Sequence, residues 1–180
     1  MNIPLWLHES THFLLSVLAA YVAWTYYGNK NKKQKPGILF LMILGVIAGF
    51  FVDLDHMFDY VLVFGFNHFS LKEFLDGTQF LISKKFYVPL HGFEFVIILL
   101  VVFWYIKKLR LKAIILTIAL ALFFHLMIDS VINNLYPKSY SIIYRAINHF
   151  DFEPLMTPYE YQRFTRERRE YVQAHPDVIY

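Results

Sequence analysis

The residues best suited to chemistry lie in an apolar stretch, residues 45–60, with the sequence GVIAGFFVDLDHMFDY. It places Asp53, Asp55, His56 and Asp59 within a run that is apolar enough to cross a membrane. A carboxylate in hydrocarbon costs about 2.5–3.5 kcal/mol on insertion scales, so these groups need compensating partners. Because carboxylate oxygens and imidazole nitrogens bind divalent metals, the stretch predicts a metal site.

Two further apolar runs carry polar pairs at helical spacing. His125 and Asp129 are four residues apart, so both side chains lie on the same face of a helix. His91 and Glu94 are three residues apart and meet the same condition. No lysine or arginine lies at this depth of the apolar runs to neutralise the carboxylates. A metal cation is therefore the preferred partner over an interhelical salt bridge.

These pairs complete a predicted set of site residues. Glu94 is a candidate ligand or the general base that accepts a proton from water, and Asp59 is a second candidate for proton transfer. Two residues have alternative roles: His8 and Asp59 could each orient a metal ligand without binding the metal, or could lie at the membrane interface. The predicted metal ligands are His12, Asp53, Asp55, His56, His91, His125 and Asp129.

Composition limits the class of protein. The chain has 180 residues, of which 57% are apolar and only 17% are charged, which is too apolar for an ordinary soluble domain. Cysteine is absent, and this excludes disulfides, thiolate metal sites and a cysteine nucleophile. The formal charge of +3 is small, and the basic residues cluster between apolar runs, where they indicate topology and not nucleic-acid binding.

The elements that must position these residues are predicted as an all-α, integral membrane bundle of four transmembrane helices. A capping box at Ser70 and Glu73 predicts one short interfacial helix that stops near Gly77, and Pro137 ends the last span. The bundle forms a first domain, 1–137. The predicted spans cover residues 4–27, 38–64, 88–106 and 113–135.

The C-terminal part, 138–180, is predicted as a helical tail. Residues 140–150 have helical periodicity typical of a helix on the membrane surface. Thr157 and Glu160 form a second capping box, with Pro158 at the first helical position, so a polar helix extends from there to about residue 174.

Charge predicts the orientation of the bundle. Basic residues concentrate in the two short connections, which the positive-inside rule places in the cytoplasm, with both termini outside. All candidate ligands then lie at the opposite, non-cytoplasmic end of the spans. The basic residues concerned are Lys30, Lys32, Lys33, Lys35, Lys107, Lys108, Arg110 and Lys112.

Four stretches resemble, in order, segments of the YdjM-like family of membrane-bound, metal-dependent hydrolases. They are Thr11-His12 with the apolar run after it, GVIAGFFVDLDH, PLHGFEF and HLMIDS. Val52 replaces a proline of the family pattern, and many members have a Thr-His-Ser version of PLHGFEF. The similarity continues through YSIIYRAINHFDFE to about residue 155, so it covers most of the chain.

The resemblance implies an integral protein of a bacterial inner (plasma) membrane that hydrolyses its substrate with metal-activated water. The family is distantly similar to zinc-dependent phospholipase C proteins, so one or two divalent ions, zinc above all, are the expected cofactor. A site near the bilayer surface favours a lipid or lipid-linked substrate with a phosphoester, ester or amide bond. No nucleic-acid partner is expected, and the oligomeric state is left open.

The alternative is a divalent-metal-binding or transporting membrane protein without hydrolytic turnover. Four spans are few for a translocation path, and the polar residues gather at one end of the spans instead of lining a route. A purely structural adaptor leaves the buried charges unexplained. Hydrolysis is therefore the preferred hypothesis.

Overall fold

The computed structural model describes residues 4–28 and 36–176, and within these ranges the predicted all-α class is confirmed. The described part contains helices and no strand; its β pairing is limited to isolated bridges between Lys85 and Asp151 and between Leu135 and Met156. The basic connection that contains Lys30, Lys32, Lys33 and Lys35 lies outside the described residues.

The longest helices lie in the first part, the central part and the C-terminal part of the described chain, and shorter helices connect them. Single 3₁₀ turns cover Val52–Asp55, Pro137–Tyr140 and Glu153–Leu155. The α-helices are α1 (Leu5–Gly28), α2 (Ile38–Phe51), α3 (His56–Phe64), α4 (Leu71–Leu75), α5 (Thr78–Ser83), α6 (Phe93–Tyr105), α7 (Leu109–Ile132), α8 (Ile142–Ile147) and α9 (Pro158–Ala174).

Helix α7 is central to the bundle, since it contacts α1, α2 and α6, while α1 also packs along α2. Small residues allow the close approach of α1 and α2. A side chain on Gly45 would place its Cβ 2.7 Å from the Ser16 carbonyl oxygen, and one on Gly49 would meet the Ser16 hydroxyl. Van der Waals packing through small residues is the usual means by which apolar helices associate in lipid.

Two helical segments are long and apolar enough to cross a membrane by length and composition. They are Ile38–Phe64, with 27 residues, and Leu109–Ile132, with 24 residues, both at a mean hydropathy of 2.3. The predicted span 88–106 is wrong in its extent, because α6 has 13 residues. At 1.5 Å per residue this helix covers about 20 Å, less than the ~30 Å hydrocarbon core. The four-span bundle remains a prediction.

The segment between α3 and α6 contains two short helices where one was predicted. The Ser70 hydroxyl accepts a hydrogen bond from the Glu73 backbone N–H, so the predicted cap of α4 is confirmed. Gly77 has φ +67, the left-handed conformation of a helix stop, but α5 begins directly after it. Together these helices cover the end of α3.

The C-terminal segment shares a hydrophobic cluster with the bundle, and the boundary at residue 137 stays a prediction. The Thr157 hydroxyl caps α9 as predicted. The helix predicted over 140–150 is restricted to α8, and its Arg145 is fully buried instead of lying on a membrane surface. The shared cluster contains Phe86, Val88, Val96, Leu126, Leu135, Tyr140, Leu155, Met156 and Phe164.

The close approach of α1 and α2 gives a first prediction. Gly45→Ala gains about 0.5–1 kcal/mol in helix propensity, but overpacking against the Ser16 backbone costs about 1–3 kcal/mol. We expect a net loss of stability, measured by unfolding of the purified protein in detergent. Gly37→Ala is the matched control, because a Cβ there has no neighbour within 4 Å. Equal stability of the two variants contradicts the packing described.

Candidate metal centre

The metal-binding motif on the second apolar segment lies where the helix changes its winding. The 3₁₀ turn Val52–Asp55 separates α2 from α3, and it carries Asp53 and Asp55 immediately before His56. A 3₁₀ turn within a longer helix often marks a functional position, because it redirects side chains relative to the regular helix. Asp53 and Asp55 therefore reach different neighbours, although both were predicted as ligands.

Four side chains from three parts of the chain converge on one point. The Nε2 atoms of His91 and His125 are 3.2 Å apart. Asp53 Oδ1 is 3.4 Å from the His91 nitrogen and 3.3 Å from the His125 nitrogen. Asp129 Oδ2 is 3.3 Å and 3.2 Å from the same two atoms. We call Asp53, His91, His125 and Asp129 the four-ligand group.

These distances match the edges of a tetrahedral metal site. Ligand atoms about 2.0–2.1 Å from a central ion lie about 3.3–3.4 Å from one another in a tetrahedron. His91, His125 and Asp129 are buried, and Asp53 is partly exposed. Two carboxylates and two imidazoles form a donor set suited to zinc and similar borderline cations. The residues fit a divalent metal.

Asp55 supports the ligand His91 from behind. Its Oδ1 lies 2.9 Å from His91 Nδ1, and its Oδ2 accepts the backbone N–H groups of Leu90 and His91. A carboxylate on the far nitrogen fixes the tautomer and orientation of a metal-binding histidine. Asp55, His56 and His91 also form a possible ligand set of their own, with ligand atoms within 4.8 Å of one another.

The two remaining predicted ligands each lie near a different carboxylate of the four-ligand group. His12 Nε2 is 3.0 Å from Asp129 Oδ1. His56 Nε2 is 3.9 Å from Asp53 Oδ1, at the edge of the group. The structure also brings in His8, whose Nε2 is 2.9 Å from Asp129 Oδ1. The i,i+4 spacing of His8 and His12 was the sequence signal for this residue.

The two residues predicted to be catalytic do not face the four-ligand group. The Glu94 carboxylate accepts hydrogen bonds from the Ser141 hydroxyl and from the backbone N–H groups of Ile142 and Ile143, so it caps α8. Because α6 begins at Phe93, His91 precedes the helix, and the expected helical stripe of His91 and Glu94 is wrong.

Asp59 is also used in a structural contact. Its two carboxylate oxygens accept the backbone N–H groups of Tyr87 and Val88 at 3.2 Å and 3.1 Å. These bonds attach the segment before α6 to α3. Asp59 thus positions the backbone that leads to His91, instead of presenting a free carboxylate to a substrate.

Arg145 holds the same segment from the other side, which sequence reasoning missed. Its guanidinium donates to the carbonyl oxygens of Val88 at 3.1 Å and His91 at 2.7 Å. Burial lowers the Arg145 pKa from its usual value, while the charges of Asp55, Glu94 and Asp59 act in the opposite direction. The only sequence signal was a single basic residue within the apolar pattern of α8.

A cavity of about 400 Å³ leads to the metal-binding side chains. Its wall is mostly apolar and combines residues from α1, the α2–α3 segment and the α4–α5 region. This volume lies in the range of small-molecule sites. The lining includes Leu5, His8, Glu9, Phe50, Asp53, Leu54, His56, Met57, Phe74, Leu75, Phe80, Asp129 and Asn133.

A second cleft, about 310 Å³, adjoins this cavity and is more polar. The two share five lining residues, which are His56, Leu75, Gly77, Phe80 and Asn133. The cleft extends to α9, where Arg163 pairs with Glu160. The candidate site is therefore open to the apolar cavity, and the more polar cleft reaches its edge at His56.

Removal of a ligand from the four-ligand group gives a second prediction. Asp53→Ala and His125→Ala each break the tetrahedral set, so we expect less bound metal per chain, measured by elemental analysis of the purified protein. His175→Ala is the control, because His175 is exposed at the end of α9. Equal metal content in all three variants and the wild type contradicts a metal site here.

The hydrogen bonds from Arg145 to the segment that contains His91 give a third prediction. Arg145→Lys keeps the charge but loses the planar fork that reaches two carbonyl oxygens. Loss of a residue that orients a metal ligand weakens metal affinity by about 10–100-fold. We expect a loss of affinity in this range, measured by competition titration with a chelator. Arg166→Lys, at an exposed position of α9, is the control. Unchanged metal affinity in Arg145→Lys shows that the hydrogen bonds of Arg145 do not position His91.

Comparisons with known proteins add no relative from which a function could be transferred. No protein-family model, no curated protein and no solved structure matches the chain. The resemblance to the YdjM-like family therefore stays a prediction, and the functional argument depends on the geometry of the site.

Proposed function

We propose that the protein is an integral membrane, metal-dependent hydrolase that acts on a lipid or lipid-linked substrate. The observation that carries the proposal is the tetrahedral spacing of the four-ligand group, 3.2–3.4 Å between its nitrogen and oxygen atoms. Zinc is the proposed cation, since two imidazoles and two carboxylates at these distances suit its tetrahedral preference. Such a cation would balance the charges of the buried Asp129 and the partly exposed Asp53.

We propose that α1, the α2–α3 segment, α6 and α7 lie together in the bilayer. All four expose large apolar side chains, and a soluble monomer rarely exposes a continuous apolar surface of this extent. α6 ends at Trp104 and Tyr105, aromatic residues typical of the membrane interface. Examples of the exposed residues are Leu14, Leu18, Leu39, Ile43, Ile47, Ile97, Ile98, Val101, Met127 and Val131.

The short α6 is compatible with a membrane location when the segment before it is included. Irregular backbone at membrane depth is tolerated only where protein groups satisfy its hydrogen bonds. Asp55, Asp59 and Arg145 supply such partners to the segment 87–91. The basic residues Lys107 and Lys108 follow the other end of α6, so we place that end in the cytoplasm and the metal centre near the non-cytoplasmic surface.

A divalent cation in such a site supplies Lewis-acid polarisation of a scissile bond and a nucleophilic water at neutral pH. The protein side chains then have separate tasks. Asp55 orients His91, and Asp53 faces the cavity. Glu9 lines the same cavity and belongs to none of the ligand sets, so we propose it as the proton acceptor in place of Glu94 and Asp59.

The cavity wall supports a substrate with an apolar chain. Leu5, Phe50 and Leu54 line the cavity and are at the same time exposed on the membrane-facing surface of the helices. A chain from the bilayer can enter between them without crossing water. The polar cleft toward α9 then offers room for the headgroup. We propose a phosphoester, ester or amide as the bond cleaved.

Transport of the cation is less well supported. The half of the bundle away from the metal-binding residues is closed by a cluster of Ala20, Tyr27, Leu41 and Ala113, with Trp24 and Phe103 packed against it. Such a cluster provides no ligands for a cation along the helices. A metal-binding protein without turnover is the alternative that the following experiment distinguishes.

The fourth prediction concerns turnover. The protein purified in detergent is expected to hydrolyse at least one lipid among phospholipids, lipid phosphates and ceramides. A chelator should abolish the reaction, and added zinc should restore it, because the cation supplies the activated water. Asp129→Ala, which removes a ligand of the four-ligand group, should be inactive with or without added zinc. Chelator-resistant turnover, or metal binding without turnover on any of these lipids, contradicts the hydrolase proposal.

The same assay tests the proton acceptor. General-base catalysis contributes about 10²–10⁴-fold, so Glu9→Gln should lower kcat within this range while the metal content stays at the wild-type level. Glu170→Gln, at an exposed position of α9, is the matched control. Full activity in Glu9→Gln assigns proton transfer to another group.

A further inference from the structure

We propose that the protein binds a second divalent cation between His8, His12 and Asp129, so that Asp129 bridges two metal ions. This inference rests on the first ion proposed above, at the four-ligand group. It assigns a role to His8, which belongs to none of the predicted ligands.

The two oxygens of Asp129 face different groups of histidines. Oδ2 lies 3.3 Å from His91 Nε2 and 3.2 Å from His125 Nε2, within the four-ligand group. Oδ1 lies 2.9 Å from His8 Nε2 and 3.0 Å from His12 Nε2. The ligand atoms of His8, His12 and Asp129 all lie within 4.8 Å of one another. One carboxylate thus has a separate set of nitrogen donors at each oxygen.

His12 is an unpartnered buried group in this arrangement. The residue is 2% exposed. Neither of its ring nitrogens makes a hydrogen bond with the described residues, although Nε2 is only 3.0 Å from the Asp129 oxygen. A buried polar group without a partner costs about 1–3 kcal/mol. Two ligands of one cation can lie this close without sharing a hydrogen bond, because both direct their lone pairs at the ion. His8 Nε2, 2.9 Å from the same Asp129 oxygen, is hydrogen-bonded to it.

Ring stacking keeps the two positions separate. The His12 ring stacks on the His125 ring, with centroids 4.0 Å apart and planes 27° from parallel. His125 belongs to the four-ligand group and His12 to the second set, so the two nitrogens point to different oxygens of Asp129. Paired catalytic metal ions are about 3.5–4 Å apart, a separation that a bridging carboxylate and stacked ligand rings can accommodate.

The two positions differ in how many protein ligands they offer. The first has four, one of which is the partly exposed Asp53, whereas the second has three, which leaves a coordination position open for water. His8 is 19% exposed and lines the cavity next to Glu9. The geometry therefore points to an open coordination position of the second ion beside the cavity, next to Glu9.

Metal stoichiometry tests this inference. The full-length protein in detergent is stripped with a chelator, reconstituted with zinc, dialysed and analysed by elemental analysis and titration calorimetry. We expect two ions per chain in the wild type, one in His8→Ala, one in Asp53→Ala and none in Asp129→Ala. His175→Ala is the control with two ions. Size-exclusion profiles and circular dichroism verify that each variant is folded, and His8→Gln provides a second, less disruptive variant.

Manganese substitution supplies an independent measurement. Two ions that share a carboxylate give an exchange-coupled electron paramagnetic resonance signal, which should be present in the wild type and absent from His8→Ala. One ion per chain in both proteins, or two ions retained in His8→Ala, overturns the second site but leaves the first ion and the hydrolase proposal intact. A wild type without bound zinc overturns both proposals.

Discussion

The burial of carboxylates among histidines is the constraint on which the rest of the structure depends. Asp129 is buried in α7, and Asp53 lies beside it on the turn between α2 and α3. No lysine or arginine reaches either side chain among the described ion pairs; their neighbours are histidines. Such a set is stable in an apolar setting only when a cation or shared protons balance its charge.

The segment 87–91 has an irregular backbone, and this backbone brings His91 to the four-ligand group. A continuous helix would point His91 and Glu94 along one face, yet the ligand atom is required near α7. The chain instead stays irregular up to Phe93, and Val88 adopts a φ of +28, a strained value for a branched residue. Hydrogen bonds between this backbone and the side chains of Asp59 and Arg145 offset the strain. One charged group on each side therefore stabilises the irregular segment.

The sequence was informative wherever chemistry depended on local periodicity. The pairs His125 with Asp129 and His8 with His12 could be recognised from i,i+4 spacing, and the ends of α4 and α9 followed from capping residues. Glu94 could not be assigned in this way, because its carboxylate is engaged by α8, a distant segment of the chain. Arg145 likewise resembled a surface residue until packing buried it.

The sequence by itself determined the helical class, the apolar character of the bundle and most of the side chains that converge at the candidate metal centre, because these follow from residue type and spacing along the chain. Tertiary structure decided that Asp53 joins the four-ligand group while Asp55 contacts the far nitrogen of His91, since the two residues differ only in the neighbours they meet. It also decided that Asp129 faces two sets of histidines. The sequence does not indicate which residues will contact each of the two oxygens of an aspartate. Those contacts are set by the packing of α1, α7 and the segment before α6.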